Sequence, residues 1–345
     1  MIKIDVDKRK WEKIKEEHSE WYSDNILPNI KNAYEFIESQ KSKSYSMKKY
    51  LELLKKIIDK GKDFIIQKEL FLDYENKEID KIIKIMKKKN KKSKSILEIR
   101  FEKLNISEEY LPNQLFCYKK LQTGNKDWNR HKLLSLIGIE ICPYCQRNYI
   151  SSYEENNDEK TTADLDHFYP KSLYPFLALS LYNFIPSCQI CNSRFKGNKD
   201  TRDSVYLYEE GFDELGVKFR TSKEVISEIL GERYSDFYVK IDYENLKNKE
   251  DGEKVKNSIE NLGLDRVYKK SHNQYIQNLL YNIEKYPENY LENCVEMFES
   301  NVDKKKQLEE YFKDIVKEPY RKRIENGEPL AKLTKDILEE FDIKI

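Results

Sequence analysis

The sequence predicts an α+β protein that is mainly helical, and three observations carry that reading. From Trp11 to about Arg100, apolar residues recur at helical spacing among Lys and Glu with almost no Gly or Pro. The pattern returns from Ser258 onward through Ile259, Leu262, Leu264, Val267, Tyr268, Ile276, Leu279 and Leu280. Between these regions lies a stretch of strand-like runs bounded by two Cys-x-x-Cys pairs. The expected organisation is a helical region over 1–127, a compact core over 128–200 and a mostly helical region over 201–345. At 345 residues, with 39% hydrophobic and 12% aromatic content, the chain can fill more than one core.

In the first region Tyr50, Leu51, Leu53, Leu54, Ile57 and Ile58 lay down an apolar helical face. Lys81 to Lys94 holds eight lysines, read either as a solvated helix end or linker or as a phosphate-backbone contact. Trp128 to Ile141 reads as a short helix with Asp127 at its N-cap. Asn148 to Tyr153 and Thr161 to Asp166 then read as the two strands of a β-hairpin, with the polar run Glu154 to Lys160 as its turn. Pro170 and Pro175 mark a loop. After Pro186 the second Cys pair should open a helix through Asn192, Arg194 and Lys196 toward Gly197. Val205 to Phe219 offers short strand or loop pieces, with a turn at Glu209-Glu-Gly-Phe212.

Net charge excludes little. The 63 basic and 62 acidic residues leave about +1, so a nucleic-acid surface has to arise from local segregation of charge. The 25 tyrosines read as amphipathic packing residues rather than a base-stacking row. No apolar stretch approaches the roughly 20 residues that span a bilayer, and Met1-Ile-Lys-Ile-Asp5 lacks the apolar core of a secretory signal, so a cytoplasmic protein without membrane contact is expected. Four of the six cysteines stand in Cys-x-x-Cys pairs, which in a reducing compartment favours metal ligation over disulfides. Cys117 and Cys294 read as ordinary core thiols.

The central stretch carries the chemistry. Cys142, Cys145, Cys188 and Cys191 form two knuckles whose four thiolates suit a tetrahedral, structural zinc ion with no open position, and binding it would be coupled to folding. Between the pairs lies Asp166-His167. A neutral imidazole can take a proton from water near neutral pH, as a general base needs. Asp166 supplies a hard oxygen beside it and Asn192 an amide oxygen at the start of the helix, a donor set for one Mg²⁺ or Mn²⁺ that keeps positions open for phosphate and water. Asp164 competes with Asp166 as a ligand, since strand alternation puts both on one face. His18, His131 and His272 read as core or surface residues, and Tyr169 and Tyr174 as loop packing.

Asp166-His167, Asn183 and Cys188-x-x-Cys191-Asn192-x-x-x-Lys196-Gly197 together resemble the HNH endonuclease family in its variant with four zinc-binding cysteines. The resemblance covers roughly residues 138 to 200. It implies a zinc-stabilised ββα-metal core with His167 as general base and Asn183 bracing the histidine's loop. It also implies Asp166 and Asn192 as ligands of the catalytic divalent ion. The last letter of the family name is often a histidine, here replaced by Asn192. A lysine commonly follows the final Cys-Asn; here the spacing is one residue longer, so Arg194 or Lys196 is the expected phosphate contact, with Arg147 a further one. Pro170-Lys-Ser-Leu-Tyr-Pro175 and Pro329 to Ile337 resemble bacterial HNH proteins of anti-phage defence systems, Septu-like and retron-associated ones among them, often encoded beside an ATPase.

The expected activity is metal-dependent hydrolysis of DNA phosphodiesters, with RNA as an alternative substrate and an ATPase as an expected partner. The competing expectation is a non-catalytic, zinc-stabilised nucleic-acid-binding or adaptor subunit of an ATPase-containing defence complex.

Overall fold

A computed structural model describes residues 1–68, 94–123, 127–156, 158–231, 236–285, 307, 310 and 317–344. They are mainly helical, with three antiparallel strand pairs, an α+β architecture. The lysine-rich run from Lys81 and the Cys294 thiol lie outside the described residues, except for Lys94 at the run's end.

The chain forms two compact units. One comprises Ile4–Glu140 and Ile150–Tyr208. Its first helix, α1 (Lys8–Asn25), starts where the Asp7 carboxylate accepts from the N–H groups of Arg9 and Lys10, satisfying donors the first turn leaves free. Pro28 in the opening turn of α2 (Leu27–Ser39) exploits its fixed φ. Ser44 caps α3 (Tyr45–Lys60), which stops at Gly61 with φ +56°. Ile14, Tyr22, Ile30, Ala33, Ile37, Met47, Leu54 and Ile57 are fully buried in this unit. Burying each large apolar side chain contributes about 1.5–3 kcal/mol. A further helix, α4 (Ile96–Lys103), opens with a capping box between Ser95 and Glu98.

The next helix, α5 (Arg130–Ile137), is shorter than its sequence suggests, and its N-cap is Asn129 rather than Asp127. Asn129 is extended and its Oδ1 accepts from the N–H groups of His131 and Lys132, while the Asp127 carbonyl instead takes the Lys132 ammonium at 2.8 Å.

The strand pairing also departs from expectation. The exposed strand β1 (Ser152–Glu155) pairs with β2 (Asp158–Thr161), which is mostly half-buried, with Ser152 opposite Thr161. The Asp-His strand, β3 (Asp164–His167), pairs instead with β4 (Phe184–Ser187). Phe184-Ile-Pro-Ser187 escaped detection because Pro186 lacks an N–H and breaks a strand pattern. In a two-stranded sheet every strand is an edge, so the proline is accommodated opposite Leu165.

The other unit comprises Met1–Lys3, Ile141–Tyr149 and Glu209–Ile345. Its antiparallel pair β5 (Lys218–Thr221) and β6 (Val239–Asp242) shares a core with the C-terminal helices. These are α7 (Leu264–Tyr268), α8 (Asn273–Lys285) and α9 (Ala331–Glu340), while α6 (Gly252–Leu262) precedes α7 and lies outside that core. Phe219, Phe237, Val239, Tyr268, Ile276, Leu279, Leu280, Leu333 and Ile337 fill that core. The run from Pro329 to Ile337 thus builds the start of α9. There Asp336, buried, accepts from Phe219 N–H at 2.8 Å and from the Lys332 ammonium. No helix among the described residues is long and apolar enough to cross a membrane.

Candidate functional site

The Sγ atoms of Cys142, Cys145, Cys188 and Cys191 all lie within 4.8 Å of one another, and all four residues are buried. Four thiolates about 2.3 Å from a zinc ion stand about 3.8 Å apart at tetrahedral corners, so this donor set suits zinc. The backbone shapes each knuckle. Gln146 N–H donates to Cys142 O at 2.7 Å, with Gln146 in the left-handed region at φ +54°. Asn148 Nδ2 lies 3.8 Å from Cys145 Sγ, and Tyr268 Oη donates to Cys145 O at 2.6 Å. In the second knuckle Asn192 N–H donates to Cys188 O at 3.0 Å.

His167 ends β3 directly opposite Phe184. It is only 6% exposed, and the edges of the Tyr118 and Phe184 rings close on it at 4.7 and 5.3 Å between centroids. Its Nε2 lies 3.0 Å from the carbonyl of Ala178. A carbonyl can only accept, so Nε2 carries the proton and Nδ1 keeps its lone pair. Burial, assisted by the Lys171 ammonium, pushes the imidazole's pKa down to about 3 and holds it neutral. Asn183, fully buried just before β4, binds the same loop at three points. Its Oδ1 accepts from Tyr169 N–H at 2.6 Å, and its Nδ2 donates to Tyr169 O at 3.1 Å and Leu177 O at 2.9 Å.

On the other face of β3, alternation brings Asp164 and Asp166 together. The Lys196 ammonium sits 3.1 Å from Asp166 Oδ1 and 2.6 Å from His167 O, with Lys196 and Asp166 only 2% and 3% exposed. Asn192 Nδ2 donates to Asp164 Oδ2 at 3.0 Å. Asn192 and Lys196 both belong to a π-helical turn, Ile190–Lys196, in which Gly197 N–H reaches back five residues to Asn192 O at 2.8 Å. The wider turn holds one more residue than an α-helical turn does.

The remaining expected contacts separate. Arg194 is exposed on the π turn. Lys196 is not, since its charge is spent on a buried carboxylate. Arg147 is half-buried, its Nε 2.9 Å from His272 Nε2 and its guanidinium 5.9 Å from the Tyr268 ring. Tyr169 and Tyr174 are buried and pack against each other, 5.1 Å between centroids. His18 is buried, with hydrogen bonds on both ring nitrogens.

Three residues around His167 were not singled out from sequence. Tyr118 covers its ring; Arg130 hydrogen-bonds Tyr118; Lys171 stands over the Tyr118 ring at 4.7 Å. Burial raises the Tyr118 hydroxyl's pKa to about 12. The position of Lys171, four residues after His167 in Pro-Lys-Ser, was a signal available for a basic group at the site.

No family model matches this chain, and no solved structure matches it. It is similar to the Septu protein PtuB of Bacillus thuringiensis, 33% identical over 102 residues that make up 29% of this chain and 34% of that protein. The chain thus spans about a third of the length of the curated relative it matches.

Proposed function

We propose that the protein is a metal-dependent endonuclease of the HNH type that hydrolyses DNA phosphodiester bonds in bacterial anti-phage defence. The observation that carries this reading is the treatment of His167. Its Nε2 is committed to Ala178 O, and the loop bearing that carbonyl is pinned by Asn183. This leaves the Nδ1 lone pair of a fixed imidazole as the ring's proton acceptor, the tautomer a general base at this position requires. The similarity to a Septu protein supports the defence setting.

Zinc fits the four clustered thiols as a structural ion. A divalent ion would take Asp166 and Asn192 as its ligands, with Asp164, hydrogen-bonded to Asn192, as the alternative carboxylate. The donors are the hard oxygens such an ion prefers, and the Lys196 ammonium against Asp166 would have to give way to it. When bound, Mg²⁺ or Mn²⁺ neutralises charge on the phosphate and stabilises the leaving oxygen. The chain's own residues do the rest. His167 takes the proton of the attacking water, Asn183 keeps the imidazole at its working angle, and Arg194 and Lys171 offer exposed positive charge to the backbone phosphates. Arg147 is a further proposed contact. Such contacts read the backbone rather than the bases, which leaves RNA as an alternative substrate. An ATPase partner completes the proposal.

A second reading is a non-catalytic nucleic-acid-binding or adaptor subunit, favoured by the Lys196 ammonium that occupies Asp166. Plasmid cleavage with Mg²⁺ or Mn²⁺, run beside His167→Ala with zinc quantified in both, separates the two. Cleavage lost in the variant at equal zinc content supports the nuclease. Equal cleavage by the variant removes His167 from the mechanism, and no cleavage by the zinc-replete protein, alone or with its ATPase, supports the adaptor.

A further inference from the structure

Three consecutive carbonyls in the loop before β4 each accept a hydrogen bond from a side chain. Leu177 O takes Asn183 Nδ2 at 2.9 Å, Ala178 O takes His167 Nε2 at 3.0 Å, and Leu179 O takes His18 Nε2 at 2.8 Å. All three loop residues are buried, so none of these carbonyls can turn to bulk water. Two donors belong to the proposed machinery. The third, His18, comes from α1, far away in sequence.

We infer that His18 is a positioning residue for His167, acting through the Leu179 carbonyl and the adjoining peptide whose Ala178 carbonyl orients the imidazole. This inference rests on the reading of His167 as general base.

Two further observations support the assignment. Trp128 Nε1 donates to His18 Nδ1 at 2.9 Å. An indole N–H is only ever a donor, so Nδ1 of His18 is the acceptor and Nε2 must carry the proton that reaches Leu179 O. Trp128 therefore selects the His18 tautomer as Ala178 O selects that of His167, and the two rings are tied to adjacent carbonyls of one chain segment. The second link is Phe184. Its ring meets His18 edge-on at 6.2 Å and His167 at 5.3 Å, so displacing one imidazole disturbs the packing of the other. His18 packs against Trp21, Trp128 and Phe184, and packing alone does not call for a polar ring. An apolar ring would fill the space but leave the Leu179 carbonyl and the Trp128 indole N–H unpaired, so the imidazole is there for its two hydrogen bonds.

The test uses full-length protein labelled with ¹⁵N-histidine, where four histidines keep the spectrum resolvable. His18→Leu keeps bulk and removes both bonds. The expected result is a change of the His167 ring-nitrogen pattern from a single Nε2–H tautomer to a mixture. Turnover in plasmid cleavage should fall on the order of 10- to 100-fold at unaltered KM, with zinc content retained. His18→Gln, whose amide can donate to Leu179 O and accept from Trp128, should restore the pattern and most of the turnover. A folded His18→Leu protein whose His167 tautomer and turnover match wild type overturns the inference. If His18→Leu does not fold, Trp128→Phe decides in the same way, since it keeps an aromatic ring and removes the N–H that donates to His18 Nδ1. The tautomer measurement needs no cleavage, so failure of the nuclease reading and failure of the positioning role are distinguished.

Discussion

Replacing Lys196 with methionine removes an ammonium from beneath a buried carboxylate while preserving most of the side chain's volume. In the wild type the ion pair is 3.1 Å long between groups 2% and 3% exposed, and the same ammonium holds His167 O at 2.6 Å. Deleting one partner of such a pair leaves the other charge desolvated and uncompensated, at a cost of about 3–5 kcal/mol. For a unit of this size each kcal/mol moves the midpoint by about 2–4 °C, so Lys196→Met should melt roughly 6–20 °C below wild type. If Asp166 is a ligand of the catalytic ion, Mn²⁺ should then stabilise the variant more than the wild type, because no ammonium competes for the carboxylate. At a hundredfold excess over its Kd the ion returns about 2.7 kcal/mol. Differential scanning fluorimetry with and without Mn²⁺, in the zinc-replete protein, reads both effects. A variant that melts with the wild type refutes the energetic argument. A destabilised variant that Mn²⁺ raises no more than wild type refutes the place of Asp166 in the divalent site.

Asn183→Ala deletes three hydrogen bonds and strands buried backbone groups of Tyr169 and Leu177. It should lose several kcal/mol, since each such orphan costs about 1–3, and lose cleavage at full zinc content; unaltered turnover in a folded variant removes the bracing role. Cys145→Ser should release zinc and lower the melting temperature together, as metal-coupled folding requires, and a variant retaining one zinc per chain and wild-type stability contradicts the structural site. Acid sensitivity follows from His18, which burial holds neutral down to about 4 against an ordinary 6.5. The unfolded chain binds this proton and the native one does not. Stability is therefore full above pH 6.5 and falls as pH drops toward 4, by about 3 kcal/mol from this group. His18→Leu should flatten that limb of the stability curve, and superimposable acid limbs for the two proteins exclude His18 as its source.

What could be read from the chain follows the range of the physics. Helical periodicity located α1, α3 and the C-terminal helices because each buries one face and exposes the other, a signal written every three to four residues. The cysteine spacing located the thiol cluster because a knuckle is itself local. The partner of β3 was hidden, since Pro186 disguises Phe184-Ile-Pro-Ser187 as a loop and pairing over that separation leaves no mark in either strand. Lys196 was legible as a basic residue but not as a buried one, because its environment comes from Asp166, thirty positions earlier. The bracing position of Asn183 came from resemblance alone; its three bonds to Tyr169 and Leu177 depend on a loop path that composition does not encode. His18 lay furthest out of reach, being an unremarkable histidine on an amphipathic helix until Trp128 and Leu179 are folded against it.

The π-helical turn at Ile190–Lys196 bears on the evolution of this segment. A single-codon insertion in a helix ordinarily rotates everything beyond it by about 100°. Looping one residue into a wider turn confines such a rotation to that turn, so a segment that holds Asp164 through Asn192 and Asp166 through Lys196 can take up a change of length without uncoupling from β3 beyond it.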